Sequence, residues 1–119
     1  MTKFERAGQL WPLLAFAAHN RQIMTYGLIG QLIGVPAIAV GQTLGPIQSY
    51  CKQQKLPGLT SLVVHEHDGL PGEGFTAAEL KQVFTEQAKV FGFDWLKTAP
   101  PSADRLESAH MKFAKAASP

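Results

Sequence analysis

Residues 25–44 read TYGLIGQLIGVPAIAVGQTL, and the placement of glycine and proline in this stretch decides the predicted fold. Thr25 can cap a short helix over 26–33, because a threonine hydroxyl accepts a hydrogen bond from the first helical turn. Gly34 ends that helix, and Pro36 begins the next one. Two short helices joined by a glycine-containing turn predict a helix-turn-helix unit. At helical spacing, the buried stripe of the first helix consists of Leu28, Ile29, Leu32 and Ile33.

An apolar helix precedes this unit and another follows it. Residues 4–19 form the first, in which Pro12 predicts either a kink or a later start near Trp11. The second helix of the unit ends near residue 44, and Gly45-Pro46 is expected to start a further helix. Cys51 on that helix is interpreted as a small buried hydrophobe rather than as a displaced nucleophile.

A β-hairpin is predicted after these helices. The segment Leu59–Val64 is short, apolar and β-branched, as strands are, and Asp68-Gly69 is a hairpin turn signal. The return strand is expected at Gly72–Phe75. In a strand, His65 and His67 would share one face, but structural zinc sites use more ligands, so no metal is expected.

Two amphipathic helices follow. Thr76 and Glu79 form a capping box that starts the first of these helices. The aromatic residues at the C-terminal end of this helix should close the core. After Pro100-Pro101, a last helix has an apolar face that either docks on the domain or pairs with another chain. The predicted fold is therefore α+β, a winged helix-turn-helix with extra N- and C-terminal helices. Residues 1–99 would form the winged-helix domain and residues 100–119 a C-terminal helical extension.

Composition limits the partners and the compartment. Residues 1–64 carry five basic side chains against Glu5 alone, which gives +4, whereas residues 65–119 carry six basic and eight acidic side chains, which gives −2. The basic N-terminal half could meet an anionic partner or simply keep the surface hydrated. Neither a signal peptide nor a membrane-spanning segment is predicted from the sequence. With a single cysteine, the sequence predicts a cytoplasmic protein without an internal disulfide.

Four segments carry a family resemblance: Thr25-Tyr26-Gly27, Ala37-Ile38-Ala39-Val40-Gly41, Leu59–Val64 and Gly69-Leu70-Pro71-Gly72. In this order and spacing, residues 24–74 resemble the C-terminal winged-helix domain of alkylguanine-DNA alkyltransferases and alkyltransferase-like proteins. The resemblance implies a DNA-binding scaffold in which Tyr26 matches the tyrosine that presses on the phosphate of a flipped nucleotide.

The catalytic residues of that family are missing from this chain. Its nucleophilic cysteine aligns with Thr60 and its activating histidine with Ser61, and a hydroxyl without an adjacent base is a weak nucleophile. The arginine that fills the gap left by a flipped base aligns with Ile38, which could still wedge between bases. Neither enzymatic activity nor a cofactor is therefore expected.

The leading hypothesis is a non-catalytic DNA-binding protein of the alkyltransferase-like type, regulatory or accessory to repair or restriction, that binds DNA weakly and in a salt-dependent manner. Gln42 could read adenine or be a solvated surface residue, and Tyr26 could instead pack on the core. Glu66, Asp68 and Glu73 in the predicted hairpin would repel phosphates.

The alternative is a protein–protein interaction module, acting as a homodimer or with another protein through the same scaffold and the C-terminal helix. The predicted DNA-binding residues are Arg21, Thr25, Tyr26, Ile38 and Gln42.

Overall fold

The computed structural model describes residues 1–71 and 77–117, together with the side chains of these residues except 77–78 and 114–117. Two strands in this part of the chain, β1 (Met24–Thr25) and β2 (Val63–Val64), pair in parallel. Short 3₁₀ turns occur at Ala37–Ala39, Leu59–Leu62 and Trp95–Lys97. The α-helices are α1 (Lys3–His19), α2 (Tyr26–Ile33), α3 (Val40–Gln54), α4 (Ala77–Gly92) and α5 (Ala103–Ala117).

The predicted α+β winged helix-turn-helix is wrong, because helices make up 71% of the structure and strands only 4%. Among the described residues, β2 pairs in parallel with β1 rather than in an antiparallel hairpin. The expected strand begins instead with a 3₁₀ turn. Leu59 and Leu62 would point to opposite faces of a strand, whereas 3₁₀ spacing places both on one side, and both are fully buried. The expected return strand Gly72–Phe75 and the helix cap Thr76 lie outside the described residues.

Helix α2 and the turn after it agree with the sequence prediction. The hydroxyl of Thr25 accepts a hydrogen bond from the backbone N–H of Leu28 at 3.1 Å, and Gly34 ends the helix with a φ of +76°. Helix α2 and the helical segment 37–54 are bent by 94° at the break between them, as in helix-turn-helix units. Within the described residues, no single helix is long and apolar enough to span a membrane, and only this bent pair together has the required length and composition.

Both helices that contain an internal proline continue through it. Helix α1 runs past Pro12, which is exposed, and begins with a capping box between Thr2 and Glu5. Helix α3 runs past Pro46, where a new helix was expected. Because proline has no N–H, the carbonyl of Gln42 loses its usual helical donor, but the ring of Pro46 is buried. Packing of this ring in the interior offsets the missing hydrogen bond.

The core forms around Trp11 on α1. Its ring meets Tyr50 of α3 edge-on with centroids 5.5 Å apart, and meets Trp95 in the same way at 5.8 Å. The indole N–H of Trp95 donates to the carbonyl of Val90 at 2.7 Å, which ties the segment after α4 to the core. The aromatic residues at the end of α4 therefore close the core, as the sequence predicted.

Helix α5 packs across α3 and α1. Leu106 and Ala109 on its inner face are fully buried, so this face is docked on the rest of the chain. The hydroxyl of Ser49 on α3 lies 3.2 Å from Nδ1 of His110 on α5. Burial lowers the pKa of His110, which favours the neutral imidazole in this contact.

Candidate nucleic-acid interface

The 3₁₀ turn between α2 and α3 holds Ile38 away from the body of the protein. Pro36 precedes this turn with extended backbone, and Ala39 leads directly into α3. The side chain of Ile38 is 92% exposed, more than any other large hydrophobic side chain described. Since the turn fixes its direction and small alanines flank it, Ile38 is well placed to insert into a partner.

A cavity of about 490 Å³ lies next to the first turn of α3. Its walls come from α3, α4 and the 56–61 segment, together with Tyr26 of α2 and Pro71. Its volume lies in the range of small-molecule sites, about 300–1,000 Å³. The cavity is lined by Tyr26, Gly41, Leu44, Gly45, Gln48, Cys51, Lys52, Leu56, Gly58, Thr60, Ser61, Pro71, Val83 and Glu86.

Two side chains of α4 hold one wall of this cavity. The carboxylate of Glu86 accepts a hydrogen bond from the N–H of Gly58 at 2.6 Å, and the amide of Gln87 donates to the carbonyl of Ser61 at 2.8 Å. The side-chain oxygen of Ser61 is buried and has no hydrogen-bond partner among the described residues. These contacts hold the backbone of the segment that contains Gly58 and Ser61.

Tyr26 connects the cavity to the turn at residues 65–70. Its hydroxyl donates to the carbonyl of Pro71 at 3.1 Å, and its ring stacks on His65 with centroids 4.5 Å apart. Partial burial raises the pKa of the Tyr26 hydroxyl. The turn itself forms at the predicted position: Gly69 has a φ of +70°, and the N–H of His65 donates to the carbonyl of Leu70 at 2.9 Å. Tyr26 therefore packs on this turn and also offers one side of its ring to the cavity.

The remaining predicted DNA-binding residues fall into two places. Gln42 is exposed on the first turn of α3, near Ile38 and the cavity-lining Gly41. Thr25 uses its hydroxyl to cap α2. Arg21 lies elsewhere, in a groove between the end of α1 and α2. Of these residues only Tyr26 lines the cavity, whereas Ile38 and Gln42 lie on the adjoining turn and on the first turn of α3. Arg21 lines the separate groove.

The groups available for chemistry at the cavity are weak. Burial raises the pKa of the Cys51 thiol to about 11, so the thiolate is scarce at neutral pH. Thr60 and Ser61 contribute hydroxyls without a histidine among the residues that line the cavity. Glu86, the carboxylate in the lining, already accepts the hydrogen bond from Gly58. This lining can bind a group by shape and by polar contacts but lacks an activated nucleophile.

Metal-binding side chains do not cluster in the described part of the chain. No three His, Cys, Asp or Glu side chains converge there. The rings of His65 and His67 lie 5.4 Å apart, but the Nε2 of His67 pairs with Asp68 at 3.3 Å, and the ring of His65 stacks on Tyr26. These contacts account for both imidazoles.

Charges around the interface are few and of both signs. Lys52 lines the cavity from α3. Glu66 and Asp68 are exposed on the 65–70 turn, and a Cβ on Gly27 would come within 3.0 Å of the Glu66 carboxylate. Negative charge therefore lies close to the N-terminus of α2, where the helix dipole favours it.

Sequence reasoning identified the exposed turn but missed the cavity. The cavity walls come from four separate regions of the chain, and no spacing rule relates Lys52 to Ser61 or Glu86. No family model, curated protein or solved structure matches the chain.

Proposed function

We propose that the protein binds duplex DNA without catalysing a reaction. The 37–39 turn and the first turn of α3 would enter a groove of the duplex, with Ile38 wedged between base pairs. The observation that carries this proposal is the 92% exposure of Ile38 on the 3₁₀ turn between α2 and α3. Apolar wedges of this kind unstack a base step at a cost of a few kcal/mol and kink the duplex.

The adjacent cavity would hold the unstacked base. It offers the ring of Tyr26 and the apolar surfaces of Leu44 and Leu56, and the polar side chain of Gln48 also lines it. Aromatic and apolar walls with a few polar groups are typical of sites that hold an extrahelical base. The volume of about 490 Å³ is ample for such a group.

The absence of catalysis is part of the same proposal. A thiol with a pKa of about 11 and two hydroxyls without an adjacent histidine favour binding over transfer. The function would then be to mark a site in DNA for other proteins, in regulation or as an accessory to repair or restriction. We assign it to the cytoplasm, where a lone buried cysteine stays reduced.

The electrostatics favour weak, salt-sensitive binding. Lys52 is the cation that lines the cavity, whereas Glu66 and Asp68 would keep the 65–70 turn away from phosphates. We expect a slope of roughly −2 to −4 in log K against log salt and a nonspecific Kd on the order of 10⁻⁴ to 10⁻⁶ M at physiological salt. Because Arg21 lies in a separate groove, its loss should affect DNA affinity less than the loss of Lys52.

A matched pair of variants tests the wedge. A duplex carrying 2-aminopurine reports unstacking by its fluorescence, which should rise when the wild-type protein binds. Ile38→Ser should abolish this rise and weaken binding at least about tenfold, since a buried isoleucine contributes roughly 1.5–3 kcal/mol and about 1.4 kcal/mol is a factor of ten. Leu96→Ser is the control, because Leu96 is also exposed (57%) but lies on the Trp95–Lys97 turn. If the two variants bind the duplex with equal affinity and give the same fluorescence change, the proposal is contradicted.

The second candidate is a protein-interaction module, and the groove beside Arg21 favours it. That groove is lined mainly by apolar side chains that stay exposed in the monomer. The two functions are separable, because a protein partner in that groove would leave Ile38 and the cavity free. Variants on the two surfaces therefore distinguish them.

A further inference from the structure

A second apolar surface lies between the C-terminal end of α1 and the outer side of α2. It is a groove of about 630 Å³ whose apolar lining includes Leu13, Phe16, Ile23, Met24, Leu28 and Leu32. Leu28 and Leu32 were predicted in the buried stripe of α2, but they lie about half exposed while Ile29 and Ile33 occupy the core. The side chain of Phe16 is 61% exposed on the opposite wall. Exposed apolar side chains gathered in one groove are typical of a binding surface.

Arg21 at this groove adopts an unfavourable backbone conformation. Its φ of +54° lies in the left-handed region, where glycine is the usual residue after a helix. The N–H of Arg21 donates to Ala18 and that of Gln22 donates to Ala17, so this geometry ends α1. No ion pair of Arg21 occurs among the described residues, whose ion pairs all lie in the C-terminal half. A strained backbone at a residue with an unpaired cationic side chain indicates that this side chain binds a partner rather than stabilises the fold.

The charge of the surrounding sequence specifies the partner. No Asp or Glu occurs from residue 6 through residue 65, so the chain around the groove has no nearby carboxylate in sequence to neutralise Arg21. A second copy placed symmetrically on this face would bring two such cations towards one apolar seam without a compensating charge. A partner with its own carboxylates would satisfy both the apolar walls and the arginine.

We propose that this groove docks an acidic amphipathic helix of a partner protein. Leu28 and Leu32 lie one turn apart on α2, and Phe16 faces them from α1, so two helices form a trough that a third helix can fill. The apolar side chains of the partner helix lie in the trough, and one of its carboxylates pairs with Arg21. This inference is independent of DNA binding, because neither Ile38 nor the cavity takes part in it.

Two synthetic peptides of about 15 residues test the charge requirement. Both carry leucine at the same helical spacing, and their polar positions are glutamate in one and lysine in the other. Titration into the isotope-labelled full chain, followed by NMR, should move the amide resonances of Arg21, Leu28 and Leu32 with the acidic peptide. The lysine peptide should bind at least about tenfold more weakly, as expected for a charge-assisted contact. Equal binding of the two peptides, or binding of neither, would overturn the proposal.

Three variants test the residues. Arg21→Gly should leave the Tm unchanged or raise it, because glycine relieves the left-handed strain, yet weaken the acidic peptide about five- to tenfold. Phe16→Gln should weaken it about tenfold, whereas Phe84→Gln should not, although Phe84 on α4 is similarly exposed at 56%. An unchanged affinity in Arg21→Gly, or an equal loss in Phe84→Gln, would refute the assignment.

Two further measurements identify other occupants. Sedimentation of the free protein should give a monomer, and a dimer that Phe16→Gln dissociates would mean that a second copy fills the groove. Addition of duplex DNA should leave the Arg21 and Leu32 resonances in place. Their movement with DNA would assign the groove to nucleic acid and overturn the protein-partner proposal.

Discussion

Replacing Leu106 with alanine should destabilise the protein by about 3 kcal/mol. Leu106 lies on the inner face of α5 and is fully buried against the rest of the chain. The substitution removes about three methylene equivalents, worth roughly 0.8 kcal/mol each, and adds the cost of the space left behind. For a chain of this length, about 3 kcal/mol corresponds to a fall in Tm of about 10–15 °C.

Thermal and urea unfolding followed by circular dichroism measure this loss. Met111→Ala is the control, because Met111 lies on the same helix but is 64% exposed. Its free energy of unfolding should change by less than about 0.5 kcal/mol. A loss below about 1 kcal/mol in Leu106→Ala, or equal losses in both variants, would show that α5 is not docked as described.

Two other predictions concern the N-terminal cap of α2 and Cys51, which lines the cavity. Thr25→Ala should lower the free energy of unfolding by about 1 kcal/mol in urea melts, since the hydroxyl caps the N–H of Leu28. Thr85→Ala is the control and should lower it less, because the hydroxyl of Thr85 is exposed and bonds within its own helix. Cys51 should react with a thiol reagent at pH 8 only as fast as the protein unfolds, because burial raises the pKa of its thiol to about 11. For the same reason, the mass of the protein should not change after incubation with an alkylguanine oligonucleotide. Rapid labelling of the folded protein, or a stoichiometric mass gain on Cys51, would contradict this.

The sequence predicted those parts of the fold that local signals control. Thr25 and Gly34 define the ends of α2 through hydrogen bonding and backbone conformation within a few residues. The Leu59–Val64 segment was misassigned because its composition suits a strand, whereas the burial of Leu59 and Leu62 on one side depends on packing against other helices. The predicted helix start at Pro46 is wrong because the burial of this residue, which offsets the lost hydrogen bond, is a tertiary effect.

The candidate site was predictable only in its exposed part. The exposure of Ile38 and Gln42 follows from the glycine and proline that separate α2 from the next helical segment, since both lie opposite the buried Val40 and Leu44. The cavity was not predictable, because its lining comes together only when α4 packs against the 58–61 segment. The exposure of the outward side of α2 was not predicted either. Helical spacing places Leu28 and Ile29 in one apolar stripe, but the core covers only the part of this stripe that contains Ile29.

Titration of a labelled duplex at low salt tests the proposed DNA binding most directly. Electrostatic contacts are strongest there, so even a protein with few phosphate contacts should bind. We expect saturable binding that weakens with salt at a slope of roughly −2 to −4, with the unstacking signal lost in Ile38→Ser. If neither a duplex nor a single strand binds at low salt with a Kd below about 10⁻⁴ M, the account of the 37–39 turn and its cavity as a DNA interface is wrong.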